Sequence, residues 1–197
     1  MSKTWKFSVT KKIQMKKNDL FKSTKSSEIV LTELMLPSHT NFSGKIHGGF
    51  ILSLMDKAAF TAASKFCGRY CVTASVNRVD FLNPIEVGEL VTLKAKINYV
   101  GRSSMVVGIR VLSQNLQTGK QKHCNSSYFS MVAKDENGLS CQVPGLIISD
   151  RNDLRRFLRS IEHIDNRKNR KAAYDQANFV PENYKEALKG YNVKMEL

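Results

Sequence analysis

No window of the 197-residue chain holds the roughly 18 uninterrupted apolar residues that a membrane-spanning helix requires, and its N-terminus lacks the apolar run of a secretory signal. A soluble, cytoplasmic protein is expected. The four cysteines, Cys67, Cys71, Cys124 and Cys141, show neither C-x-x-C spacing nor the density of a disulfide-stapled secreted domain. Reduced thiols are expected. Histidine is equally scarce, four in all, and none follows Cys67 and Cys71 at the paired spacing of a zinc site, so no metal is expected.

Acidic residues are also few: 17 Asp and Glu stand against 31 Lys and Arg, a formal net charge of +14. The imbalance is uneven, since residues 1–26 carry eight lysines, one acid and no arginine. A run of this kind reads first as a solvated basic tail, and nucleic acid is not the expected partner. The absence of arginine also argues against an organelle transit peptide.

With 42% hydrophobic residues, the rest of the chain suffices for one well-buried domain. Residues 28–36, EIVLTELML, read as a strand stopped by Pro37. Residues 48–65 place Ile51, Leu52, Met55, Ala58, Ala59, Ala62 and Ala63 at i, i+3, i+4, i+7 spacing, the pattern of a buried helix. Four β-branched and aromatic runs follow: one from Tyr70 to Pro84, then residues 90–100, 103–115 and 121–134. A strand, a long helix and four further strands make an α+β layer, one helix against an antiparallel sheet. A sheet so thinly covered favours dimerisation. After residue 148 a basic segment follows in which Asp150 or Asn152 caps a helix, with Leu154, Phe157, Leu158, Ile161 and Ile164 on one stripe. It lacks the second helix and turn of a helix-turn-helix.

The chemistry concentrates in LPSHTNFSGKIHGGFILSLMDKAAF, residues 36–60. Taken singly, Asn41 reads as a turn residue, His47 as a cap, Gly48-Gly49 as a close-packing point, and Asp56 as a buried carboxylate with a hydrogen-bond partner. Together they suit a carbonyl substrate. A helix start offers free N–H groups and a positive dipole end that stabilise an oxyanion, glycines admit a ligand to that backbone, and a carboxylate serves as general base or nucleophile. Eight residues of helix span about 12 Å, too far for Gly48 and Asp56 to serve one carbonyl carbon. Two helices packed antiparallel across a two-fold axis would give two composite sites.

These residues resemble the hotdog-fold acyl-CoA thioesterases, in the branch of the bacterial and brain-type cytosolic acyl-CoA hydrolases. The resemblance runs from about Ile29 to Leu146 through four ordered motifs: LPSHTNFSGKIHGGFILSLMD, VTASVNRVDFLNPIEVGELVTL, GRSSMVVGIRV and YFSMVAKDENGL. It implies a hotdog fold and hydrolysis of acyl-CoA to fatty acid and coenzyme A without a further cofactor. By the same resemblance Asp56 is the base or nucleophile, Asn41 assists from the opposite subunit, and Gly48 or Gly49 supplies the polarising amide. His47, Val79, Asp80 and Phe81 would lie along the substrate, and Gly101-Arg102-Ser103-Ser104 would contact coenzyme A. Asn77 stands where the family commonly has an acid. The family also implies homodimers assembled as hexamers, trimers of dimers. The expected division is a tail at 1–26, a hotdog domain at 27–148 and a helical extension at 149–197. Two other readings stay open: a hotdog hydratase or dehydratase with a histidine base, and a non-catalytic acyl-CoA-binding module.

Overall fold

In a computed structural model, residues 21–173, 191 and 193 are described. Most of the basic tail and the end of the C-terminal extension therefore lie outside the described residues. The chain divides after Ser160, and residues 161–173 of the second unit continue a helix begun in the first.

The elements are β1 (Phe21–Ser23), β2 (Ile29–Leu34), α1 (Gly48–Cys67), β3 (Tyr70–Val76), β4 (Glu89–Val100), β5 (Ser104–Asn115), β6 (Gln121–Lys134), β7 (Gly145–Ile147) and α2 (Arg151–Ala173). Five strands form one antiparallel sheet in the order β2-β4-β5-β6-β3. β1 and β7 pair in parallel beside it, so Phe21–Ser23, within the stretch read as tail, is paired backbone. The sheet curls around α1, the hotdog arrangement expected.

The sequence dictates that wrapping through the small residues of α1. Ala58, Ala59, Ala62 and Ala63 are fully buried, and their short side chains let the sheet approach the helix closely. Larger side chains fill the two ends of this face: Ile51 and Met55 toward the start, Phe66 toward the finish, against Leu93, Ile97, Val107, Phe129 and Met131 of the sheet. Each contributes about 1.5–3 kcal/mol on full burial. The helix stops at Gly68, whose φ of 68° is left-handed and whose N–H donates to Ser64 O at 2.8 Å.

Two expectations are corrected. The strand expected from Tyr70 to Pro84 ends at Val76, after a bulge between Thr73 and Ser75. Beyond it β6 meets the chain partly with side chains instead of backbone: Ser127 Oγ donates to Asn77 O, and Asn125 Nδ2 to Asp80 O. Regular pairing gives way to isolated contacts such as Leu82 N to Cys124 O. The second concerns α2. Asp150 caps it as expected, accepting from Asp153 N at 2.8 Å. Within residues 151–160, however, Leu154 and Leu158 are exposed, while Asp153 and Ser160 are buried and Phe157 packs on Tyr99. Asp153 binds Lys96 Nζ and Thr24 Oγ1, both at 2.5 Å, so a buried ion pair orients this turn.

Among the described residues no helix is long and apolar enough to cross a membrane. A second buried carboxylate, Glu89, closes the far end of β4. Burial alone would raise its pKa, but Lys122 at 2.8 Å, Ser113 Oγ at 2.6 Å and the Glu86 amide outweigh that and hold it below the usual value of 4.5. A depressed pKa means the bonds stabilise the fold fully above the ordinary carboxyl range and are lost as pH falls through the folded value. Glu89→Gln is expected to cost about 2 kcal/mol at pH 7. In urea denaturation the gap to wild type closes as the pH is lowered; a gap independent of pH refutes this account.

Candidate active site

The N-terminal turn of α1 is built by its own histidines. His47 caps the helix, its Nδ1 accepting from Gly49 N at 2.9 Å, and its N–H bonds His39 O at 2.8 Å. His39 in turn stacks on Phe50, ring centroids 3.8 Å apart. With Gly49 N–H taken, Gly48 N–H is the donor at this helix start for which no described residue supplies an acceptor. A side chain at either position would have to displace a facing ring. A Cβ on Gly48 would stand 3.0 Å from the Phe81 ring, and one on Gly49 2.7 Å from the His47 ring.

Asn41 lies at the head of the loop leading to this turn. Its Oδ1 accepts from Ser43 N at 3.0 Å, Ser43 Oγ at 3.1 Å and Lys45 N at 3.1 Å. The side-chain oxygen is thus spent on the loop, the turn role that its residue type suggests, and only Nδ2 is left to act outward as a donor.

Asp56 is two turns further along α1, and it is not buried in this chain. It sits on the exposed strip with Lys57 and Phe60, because the alanine face fixes the helix phase. Thr73 of β3 donates to its Oδ1 at 2.5 Å. Both residues line a hollow of about 350 Å³ together with Phe60, Tyr70, Cys71 and Val72, the Phe60 and Tyr70 rings meeting edge on at 5.7 Å. Behind it Cys71 and Cys67 are free thiols with sulfurs 3.4 Å apart, and the hydrogen bond from Cys71 pulls Cys67 down to about 7 against the effect of burial.

Strand register assigns the remaining residues to two ends of the sheet. Ser104 pairs with Val132, which pairs with Val72, so the Gly101–Ser104 turn stands two strands, about 10 Å, from the Asp56–Thr73 pair. Arg102 is exposed there, and the turn is locked by Gly101 N to Ser104 O, Ala133 N to Ser103 O and Val143 N to Arg102 O. The opposite end holds Val79, Asp80 and Phe81, since Leu82 bonds Cys124 near the start of β6. Arg78 pairs with Asp80 at 2.7 Å in the open. Asn77 bonds Tyr128 O through its N–H.

The structure therefore brings Gly48 to Phe81 and Asp56 to Thr73, and it does not bring Asp56 to Asn41, Gly48 or Gly49 within one chain. Thr73 escaped the sequence reading. A hydroxyl on one strand has no periodic relation to a carboxylate on the preceding helix, and only the tertiary fold pairs them. Among the described residues no cluster of His, Cys, Asp or Glu is suited to a metal ion.

Comparison with known proteins places these elements. Residues 43–120, from the loop before α1 through β5, match the family model of the thioesterase superfamily. A Bacillus subtilis protein described as an uncharacterized acyl-CoA thioester hydrolase, YkhA, is 34% identical over 147 residues, 75% of this chain and 86% of that one. The crystal structure of an apo-hexameric acyl-CoA thioesterase superposes with a TM-score of 0.76 at 34% identity, covering 78% of this chain and 99% of that one. An acyl-CoA hydrolase from Staphylococcus aureus, solved with butyryl coenzyme A and coenzyme A, gives a TM-score of 0.73 at 29% identity, covering 80% and 96%. Alanine variants of that hydrolase alter an asparagine, an aspartate and a threonine whose separations along its chain equal those of Asn41, Asp56 and Thr73 here. From the helix cap to the sheet order, and over most of its length, the chain belongs to the thioesterase superfamily.

Proposed function

We propose that this thioesterase hydrolyses acyl-CoA to a free fatty acid and coenzyme A, with Asp56 as general base. The observation that carries this reading is the Thr73–Asp56 hydrogen bond beside a hollow walled on one side by Phe60 and Tyr70. A carboxylate fixed through Oδ1 keeps Oδ2 for a water proton, and the Phe60–Tyr70 wall offers an apolar surface to an acyl chain. As water attacks the thioester carbon, its proton passes to Asp56 and the carbonyl becomes an oxyanion. Gly48 N–H, at the positive end of α1, and Asn41 Nδ2 donate to that oxygen. Collapse breaks the C–S bond, and the departing thiolate takes the proton from Asp56. His47, Val79, Asp80 and Phe81 flank the substrate, and Gly101-Arg102-Ser103-Ser104 receives coenzyme A, with Arg102 for a phosphate. No cofactor enters the reaction. Residues 27–148 carry the chemistry and 149–197 form an extension.

Because the base and the oxyanion donors stand at two ends of one chain's sheet, each site draws them from two copies. β3 is an open sheet edge, and Phe42, Phe60, Tyr70, Phe81 and Leu82 beside the two half-sites are exposed apolar residues, a surface that a second copy covers. The hexameric relative supports a trimer of such dimers. The cytoplasm, where acyl-CoA is at hand, is the proposed location.

Thiol release from acyl-CoA of graded chain length tests the activity. Asp56→Asn lowers kcat about 10²- to 10⁴-fold. Thr73→Ala lowers it about 10- to 100-fold by freeing the carboxylate, and Thr73→Ser restores most of the loss. A wild-type rate in Asp56→Asn ends the mechanism. Subunit sharing has its own test. Asn41→Ala and Asp56→Asn chains, each inactive alone, regain about a quarter of wild-type activity when co-expressed, because half of the dimers are mixed and hold one intact site. No recovery in mixed dimers means that the two residues act from the same chain.

A further inference from the structure

The hydrolytic mechanism leaves two nucleophilic side chains unused beside the thioester site. Cys67 is the last residue of α1 and Cys71 the second of β3, and the left-handed turn at Gly68 folds the strand back so that their sulfurs meet at 3.4 Å. Both sulfurs also lie 3.7 Å from the Arg69 carbonyl oxygen, which keeps the two thiols on one side of the turn. Their surroundings give them different roles. The hydrogen bond from Cys71 holds Cys67 down at about 7 despite burial, helped by the charge of Lys22, whose Nζ donates to Phe66 O at 2.9 Å. The same bond, together with burial, pushes Cys71 up. Cys67 is thus the nucleophile of the pair, and Cys71 stays protonated until Cys67 has reacted. Cys71 lines the hollow that holds Asp56 and Thr73, an entry for a small neutral oxidant, and Cys67 sits directly behind it, 9% exposed.

The pair is coupled to the proposed base through the backbone. Thr73 follows Cys71 by two residues on the same face of β3, and Asp56 shares α1 with Cys67, so the Thr73–Asp56 and Cys67–Cys71 contacts bridge the same helix and strand. A disulfide needs its sulfurs at about 2.05 Å, so the two must approach by about 1.4 Å. A hydrogen bond tolerates displacements of only about half an ångström before it weakens. The bulge that follows Thr73 is the point at which β3 yields to such a pull.

We infer that Cys67 and Cys71 are a peroxide-modified dithiol that closes to a disulfide and displaces Thr73 from Asp56; its effect on activity rests on the role proposed for Asp56. The Cys67 thiolate attacks one oxygen of hydrogen peroxide, the O–O bond breaks, and Cys67 becomes a sulfenic acid. The departing hydroxide takes the Cys71 proton and leaves as water. The Cys71 thiolate then attacks the Cys67 sulfur, the S–S bond forms and the S–O bond breaks. The second hydroxide leaves as water with the proton that Cys67 first released. Two thiols are oxidised, and one peroxide is reduced to two waters.

Stepwise addition of hydrogen peroxide to the reduced full-length oligomer, followed by peptide mass, thiol alkylation and acyl-CoA hydrolysis, tests the site. Trypsin cuts after Arg69, between the two cysteines, so the disulfide is expected as residues 66–69 joined to residues 70–78, with two of the four thiols per chain closed to alkylation. Hydrolysis falls at least about tenfold, the size expected for Thr73→Ala, and dithiothreitol restores it. Cys67→Ala hydrolyses as wild type does and is indifferent to peroxide. Cys71→Ala stops at a sulfenic acid that dimedone traps, and Cys141→Ser responds as wild type does. Thr73→Ala still forms the joined peptide but loses no further activity. Because the joined peptide is scored by mass, a normal rate in Asp56→Asn would remove the hydrolytic mechanism and leave the dithiol standing. The absence of a joined peptide, a link through Cys141 or between chains, or a joined peptide with undiminished hydrolysis in a protein that needs Asp56 overturns the inference.

Discussion

The close seating of α1 against the sheet is the constraint on which everything else turns. Four alanines in two helical turns admit the strands to within packing distance, and that seating leaves one strip of the helix uncovered. Whatever stands on the strip is aimed away from the core by geometry alone. Asp56 stands there, and the helix cannot rotate to hide it without driving Ile51, Met55 and Phe66 out of their places. A carboxyl group is kept reachable by a hydrophobic fit on the other side of the same helix.

The sheet then distributes chemistry by register. A strand pairs its residues in fixed order, so a turn at one end and an irregular segment at the other cannot be brought together by a side-chain rearrangement. The bulge at Thr73 and the departure from regular pairing after Val76 tune each end separately: one aims a hydroxyl at Asp56, the other lays the Phe81 ring over Gly48. Two sets of groups held apart by a rigid sheet are what the proposed two-fold dimer would bring together.

Much of this was legible in the sequence because it is local. The alanine stripe, the capping histidine with its glycines, the alternating runs and Pro37 each act through neighbours three or four positions away. The oddity of Asp56 was visible too, although its burial was misjudged: counting apolar neighbours does not say which side of the helix faces out. What escaped depends on distant partners. Thr73 meets Asp56 across 17 residues, Asp153 meets Lys96 across 57, and the end of β3 is decided by Asn125 and Ser127 on β6. No periodicity within one element records such pairings.

The ring of His47 over Gly49 bears on hydration. Two adjacent helix-start amides would ordinarily each hold a water that an arriving carbonyl must strip away. Here one is already satisfied from within the chain, at 2.9 Å, in a form that needs no solvent. At this helix start only Gly48 N–H is left to be desolvated, so in the proposed reaction the helix contributes the desolvation cost of one amide and not two, beside the Phe81 ring.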